Sequence, residues 1–405
     1  MKTVVYKGVL VSMFALALAS CATEAPPPPP PPPPAPAGPP VALSPVVSDA
    51  ASVYLEYVKT AREMTPDFAT AEVIQTKLQQ GAAYEPKQLA RGAVAYAAIV
   101  AMQEPSFRSE LRAYAANPES RAQLINNIMS NPAAAANIPG ANIAARRVIL
   151  ALSSHGESVY KVGARVKQAA YDIQKQHWSR EFIKTRDVRL SQAKINSTTA
   201  HPVAADQSNQ LLVAALTGQG MVTQATSAAY STDQAATIAA TSTGQHDPIV
   251  AQKLTAQDLQ PGVTLPANMF DAPYTATVNR GLAIAALAIL GEGAGANEAN
   301  ISMLLDERDG PTCLNMAKLN LYQCLAVAKP HFEDVFCIGQ HILMDTGQCI
   351  GQVSSNALDL APKRTVEFNA DGTEKLKYVN AKPYIKPAPA KKAPAKKAAT
   401  KKKTS

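Results

Sequence analysis

Aromatic residues are scarce in this chain of 405 residues. They make up 5% of it, with a single tryptophan, against a hydrophobic content of 47% that is rich in alanine. A core of such residues closes mainly through alanine-lined contacts between helices rather than around large rings. Close cysteine pairs are absent as well. No Cys-x-x-Cys occurs, which argues against a zinc ribbon or a dithiol redox site. There is no Gly-x-Ser-x-Gly elbow and no glycine-rich phosphate loop, the signatures of a common hydrolase nucleophile and of nucleotide binding. Ser153, Ser154 and His155 are neighbours in sequence, which says nothing of a triad. Acidic residues are scattered, and no pair stands out for glycoside hydrolysis. These absences weigh against an enzyme without excluding one. The formal charge of +8 is unevenly placed: nine lysines and no acid fall in 381–405, and Lys2 and Lys7 at the start, which leaves residues 21–380 at −3. The basic balance belongs to the tail.

What is present at the start is a pattern of export. Lys2 and Lys7 precede the apolar run GVLVSMFALAL, Gly8 to Leu18, too short to span a bilayer as a mature helix. Leu18-Ala19-Ser20-Cys21 follows, and the composition changes at once. This LASC resembles the lipobox of bacterial lipoproteins. The resemblance covers residues 1–20 as signal peptide and Cys21 as lipid attachment site, and implies acyl chains such as palmitate there. Ala22 and Thr23 come next. The lack of Asp after the cysteine resembles an outer-membrane sorting signal. The expectation is a chain lipid-anchored in the outer membrane and facing the periplasm. The mature part resembles no family.

Five cysteines are an odd number. With Cys21 lipidated, Cys313, Cys324, Cys337 and Cys349 remain, and an exported chain meets an oxidising compartment, so they are expected as two disulfides. Their spacings are 11, 13 and 12. Eleven residues are close to three helical turns, and twelve are about a third of a turn more. Cys313 and Cys324 thus share a face of one helix, Cys337 and Cys349 nearly share a face of the next, and Pro330 separates the two. An antiparallel helical hairpin then pairs Cys324 with Cys337 and Cys313 with Cys349. A zinc site made by these cysteines with His331 and His341 is the weaker reading, on spacing and compartment alike.

Organisation follows composition. Residues 21–44 are the lipidated cysteine and a proline-rich linker. Prolines fill 26–34, and Pro36, Pro39 and Pro40 follow. Such a run favours polyproline II, so 26–40 reach on the order of 45 Å. The fold class expected beyond it is all-α, an alanine-rich helical domain. Helical lobe 1 is expected over 45–195, a partly irregular connection over 196–265, and helical lobe 2 with the disulfides over 266–361. A small β-hairpin is expected over 362–380, with its turn at Asp371-Gly372. Residues 381–405 are expected as a disordered Lys/Ala/Pro tail. A long helix is expected from about Ala141 to about Leu190. Its seam is Val148, Leu152, His155, Val159, Val162, Val166, Ala169 and Ile173.

One pattern recurs. HGESVYKVG, His155 to Gly163, is answered by HFEDVFCIG, His331 to Gly339, and RGAVAYAAIVAM at Arg91 by RGLAIAALAIL at Arg280. The order is kept, which points to a duplicated helical unit, roughly 86–175 and 275–350. The two His-x-Glu pairs, His155 with Glu157 and His331 with Glu333, could converge on a divalent metal. The plainer reading places each histidine in its seam, because residues two apart on a helix do not face each other. No metal, cofactor or catalytic residue is therefore assigned.

The tail lysines Lys391, Lys392, Lys396, Lys397, Lys401, Lys402 and Lys403 are expected to bind an anionic envelope polymer, peptidoglycan or lipopolysaccharide, by releasing its counterions. Nucleic acid is not expected as a partner in that compartment; other envelope proteins are. The function expected is structural, a membrane-anchored periplasmic scaffold. The alternative is a periplasmic enzyme, or a metal- or ligand-binding protein, with an inter-lobe site near His155 and His331.

Overall fold

Four helices begin in the same way, with a polar cap followed by proline. Ser44, Glu85, Glu104 and Asn117 each accept a hydrogen bond from a first-turn amide, and Pro45, Pro86, Pro105 and Pro118 stand at the first helical position. Proline lacks the amide that would have no partner there, and the cap satisfies one that remains. In the computed structural model, which describes residues 38–219 and 266–361, these starts open α1 (Pro45–Glu63), α3 (Pro86–Ala101), α4 (Pro105–Ala116) and α5 (Pro118–Ser130), with α2 (Ala71–Ala82) in between. Then come α6 (Ala141–Ile173), α7 (Arg186–Thr198), α8 (Ala205–Thr217), α9 (Ala276–Ile289), α10 (Glu298–Leu305) and α11 (Asp309–Val327). The last stretch is α12 (His331–Cys337), a π-helical segment Ile338–Met344, and α13 (Asp345–Ser354). The fold is all-α. Of the hairpin expected at 362–380, only the backbone of 363–368 and 374–379 is described, in antiparallel register; the turn residues lie outside the described residues.

The two segments that share the Arg-Gly start are the innermost. From Leu89 to Ala101 on α3 and from Gly281 to Ile289 on α9, almost every residue is buried. A helix apolar all round belongs inside, and small side chains let the two lie close: a β-carbon on Gly281 would sit 2.7 Å from that of Ala97. The second pair is α6 against α12–α13. Here the packing is backbone on backbone. A β-carbon on Gly156 would lie 2.6 Å from the Gly351 nitrogen, and one on Gly163 would lie 2.7 Å from the Gly339 oxygen. One on Gly347 would lie 2.6 Å from the Tyr160 nitrogen. Partners fall in residue number on α12–α13 as they rise on α6, so the pair is antiparallel. Gly163 and Gly339, the last residues of the two similar nonamers, touch each other. Helices from both expected lobes therefore pack against one another, α3 on α9 and α6 on α12–α13.

The long helix ends earlier than expected, at the last residue of its seam. It stops at Ile173 rather than near Leu190. Ser179 donates to the carbonyls of Ile173 and Gln176, and Arg180 donates to that of Gln174. These side chains satisfy the last turn, and Trp178–Arg180 forms a single 3-10 turn before α7.

Helix C-termini elsewhere are closed by cations from distant parts of the chain. Arg108 donates to Met102 at the end of α3 and to Ala215 and Leu216 at the end of α8. Arg91 and Arg280 reach the last carbonyls of α10. Arg186 and Arg189 reach those of α11, and Lys318 that of Ala82 on α2. A cation at this end satisfies carbonyls that lack amide partners and complements the helix dipole. Lys318 is buried, and its ammonium also lies 3.3 Å from the Tyr84 ring centroid. Burial pushes it well below the usual lysine range. Arg189 is buried with Asp334, 2.5 Å away. Burial pushes the Asp334 carboxyl up, against the pull of Arg189.

Candidate functional site

The linker meets the body at a built junction. Arg112 on α4 donates to the carbonyls of Gly38, Pro39 (2.5 Å) and Ile289 (3.1 Å), and so binds the incoming chain to the end of α9. Ala42 donates to Ala288 (3.0 Å), Ser44 to Gly293 (2.7 Å), and Leu43 forms a parallel bridge with Gly293. A β-carbon on Gly291 would meet that of Pro39 at 2.7 Å, and its φ is +86°. Only glycine combines that conformation with so close an approach. Arg121 holds the same loop from α5 through the Leu290 carbonyl and Glu292. Residues 38–44 are therefore laced into the core by backbone bonds and one guanidinium.

The four cysteines staple the far helices. Cys313 bonds to Cys349 with their α-carbons 5.6 Å apart, and Cys324 bonds to Cys337 with theirs 5.8 Å apart. This is the nested arrangement of α11 against α12–α13. The π segment explains how a spacing of twelve fits. It underwinds the helix and turns Cys349 back towards the face of Cys337, which takes up the extra third of a turn. The outer disulfide lines a cleft of about 240 Å³ with Glu307, Thr275 and Gln352. Glu307 accepts from the Asp309 and Gly310 amides, which begin α11, while burial pushes its carboxyl up.

His155 is a core residue. Its Nδ1 lies 3.1 Å from the Tyr54 hydroxyl, and the Tyr96 ring stacks on it at 5.2 Å between centroids. Burial, with the charge of Arg62 adding to it, pushes the imidazole down to about 3. In the unfolded chain a histidine titrates near about 6.5. Between those values the unfolded chain binds a proton that the folded chain does not. The stabilisation is whole above about pH 6.5 and is lost as the pH falls towards 3. Urea denaturation along a pH series is expected to show this as a slope of up to about 1.4 kcal/mol per pH unit from this one group. His155→Leu should remove that part of the slope. An unchanged slope would mean that the imidazole takes up its proton in the folded protein.

His331 lies elsewhere. It begins α12, half-buried, with the Trp178 ring centroid 6.4 Å away. Since Gly156 faces Gly351, helix rise puts His331 on the order of 25 Å along the seam from His155. Glu157 pairs with Lys161 at 2.6 Å, and Glu333 accepts from the Lys329 amide at 2.7 Å. The structure does not bring the two His-x-Glu pairs together. Among the described residues, no three His, Cys, Asp or Glu are grouped to hold a metal ion. Cys21 and the tail lysines lie outside the described residues.

Two polar sites escaped the sequence reading. On the π segment, His341 Nδ1 lies 2.8 Å from Asp345 Oδ2, and Gln340 donates to Oδ1 at 2.9 Å. Burial acts to raise the Asp345 carboxyl, but bonds from His341 and Gln340 hold it below the usual range. The i, i+4 spacing of His341 and Asp345 was visible in the sequence; the π segment was not. The second is a cleft of about 550 Å³, lined by Glu56, Tyr57, Glu63, Lys77 and His201 among others. Lys77 is already bonded to the Thr65 and Asp67 carbonyls. His201 is held low by burial and by Lys318.

No family model, curated protein or solved structure matches this chain.

Proposed function

We propose that this protein is a membrane-anchored scaffold of the bacterial cell envelope, lipidated at Cys21 and exposed to the periplasm from the outer membrane. The observation that carries the reading is the lacing of residues 38–44 into the core. A linker that only joined a tail to a domain would need no such junction. A linker that carries tension does, because hydrogen bonds arrayed along the chain share a pull between the anchor and the body. Two disulfides between α11 and α12–α13 fit an oxidising compartment. The prolines of 26–40 set a reach on the order of 45 Å, and the lysine tail grips an anionic polymer, peptidoglycan or lipopolysaccharide. Lipid and tail thus hold the two ends, and the helical body between them presents a surface to other envelope proteins. Salt-dependent binding to purified sacculi and lipopolysaccharide, with and without the tail, tests the reading.

A further inference from the structure

The turn between α6 and α7 carries apolar side chains that no other described residue covers. Phe182 is 72% exposed. The turn is not loose: Phe182 pairs with Pro330 in an antiparallel bridge, Ile183 donates to the Lys329 carbonyl, and the His331 amide donates to that of Glu181. This fixes Phe182 beside the end of α11, where Val327 is 72% exposed. Arg186 and Arg189 bond to the Ala326 and Leu325 carbonyls, so the start of α7 lies at the same place, and there Val188 is 68% exposed. Three exposed apolar residues thus stand on three segments held together by these bonds.

Cations surround them. Lys175, Arg180 and Lys184 on the turn and Lys329 beside it are all exposed. The acids nearby are Asp172, Glu181, which faces His177 at 3.6 Å, Asp187 at the start of α7, and Glu333, which accepts from the Lys329 amide. Counting Arg186 as well, five cations stand against four acids, a net of +1, whereas residues 21–380 as a whole are negative. Trp178 is half-buried four residues before Phe182. A protruding aromatic with a few aliphatic neighbours and a cationic rim matches the boundary of an anionic bilayer, where rings sit at headgroup level and lysines pair with lipid phosphates. Three side chains bury far less than the roughly 1,000 Å² that a stable protein partner needs.

We infer that this turn is a wedge that seats the body on an anionic lipid surface, with Phe182 inserted and the four cations on the headgroups. This contact does not require the lipid on Cys21. With that lipid, the linker would keep the wedge near a bilayer and make a weak contact sufficient.

The test uses residues 21–405 with Cys21→Ser, so that neither the signal segment nor an acyl chain contributes. Trp178, as the single tryptophan, reports from within the site. On phosphatidylglycerol vesicles its emission is expected to shift to the blue and to be quenched by lipids brominated in the acyl chains. On phosphatidylcholine vesicles neither is expected. Phe182→Ser should weaken partition about tenfold and abolish the quenching. Val327→Ser, on a different element, should weaken it in the same direction. Both positions are exposed, so both variants should melt as the parent does. Vesicle binding that leaves Trp178 emission unchanged would assign the contact to the lysine tail and overturn the inference. So would a full response in Phe182→Ser. Binding to neither vesicle would overturn it too, and leave the patch to a protein partner.

Discussion

Replacing all four cysteines of α11 and α12–α13 by serine is expected to lower stability by about 6 kcal/mol. The outer bond closes a separation of 36 residues and the inner one of 13. In the chain-entropy account these contribute about 4 and about 3 kcal/mol, less some overlap because the loops are nested. Small and medium domains hold only about 5–15 kcal/mol in all, so the serine variant should sit near its unfolding threshold. The order of reduction should differ as well. Each bond joins a half-buried cysteine, Cys313 or Cys324, to a buried one, Cys349 or Cys337, but Cys313–Cys349 also lines the cleft beside Glu307. A small reductant should open Cys313–Cys349 first, which alkylation and mass measurement would show. A loss below about 1 kcal/mol in urea would mean that the helices hold the hairpin unaided.

Gly163→Leu is expected to cost at least about 3 kcal/mol, or to prevent folding. In an open helix the same change would stabilise, by up to about 1 kcal/mol, because glycine is a poor helix former. The expected sign is opposite here because the new β-carbon meets the Gly339 oxygen and Met344, both at 2.7 Å. Those are backbone and near-backbone atoms of a helix that two disulfides fix in place, so they have little room to retreat. Gly163→Ala is the finer probe. It adds only the β-carbon, and a net destabilisation by alanine would show that backbone contact decides the outcome. Circular dichroism on thermal and urea melts measures both. A more stable alanine variant would show that α6 and α12–α13 are not in contact at this glycine.

Local signals in the sequence were legible to the extent that a short stretch decides them. Cap-and-proline starts place α3, α4 and α5. The stripe from Val148 to Ile173 marks the buried face of α6, and all of its members are buried. Cysteine spacing marks the staple, because helix period and an antiparallel hairpin broken at Pro330 together point to the nested pairing. The end of α6 was not legible, since Ser179 and Arg180 must fold back to cap it. The capping arginines were invisible for a stronger reason. Arg108 and its carbonyls on α8 lie 107 and 108 residues apart, and Arg112 and Ile289 lie 177 apart. Nothing in a single sequence ties a cation to a helix end at that distance. Tyr54 and His155, 101 residues apart, were hidden in the same way, so a core histidine looked like a possible ligand. The similar nonamers were seen, but not that their glycines would face each other.

The measurement that bears most directly on the scaffold reading is a pull-down on purified sacculi and on lipopolysaccharide across a salt series. It compares the chain with one that ends at Asn380. The account predicts binding by the longer chain that falls steeply as salt rises, and its loss on truncation, since the nine lysines of 381–405 supply the released counterions. Equal binding by the two chains, or none by either, would contradict a grip by the tail and leave the helical body to find its partner alone.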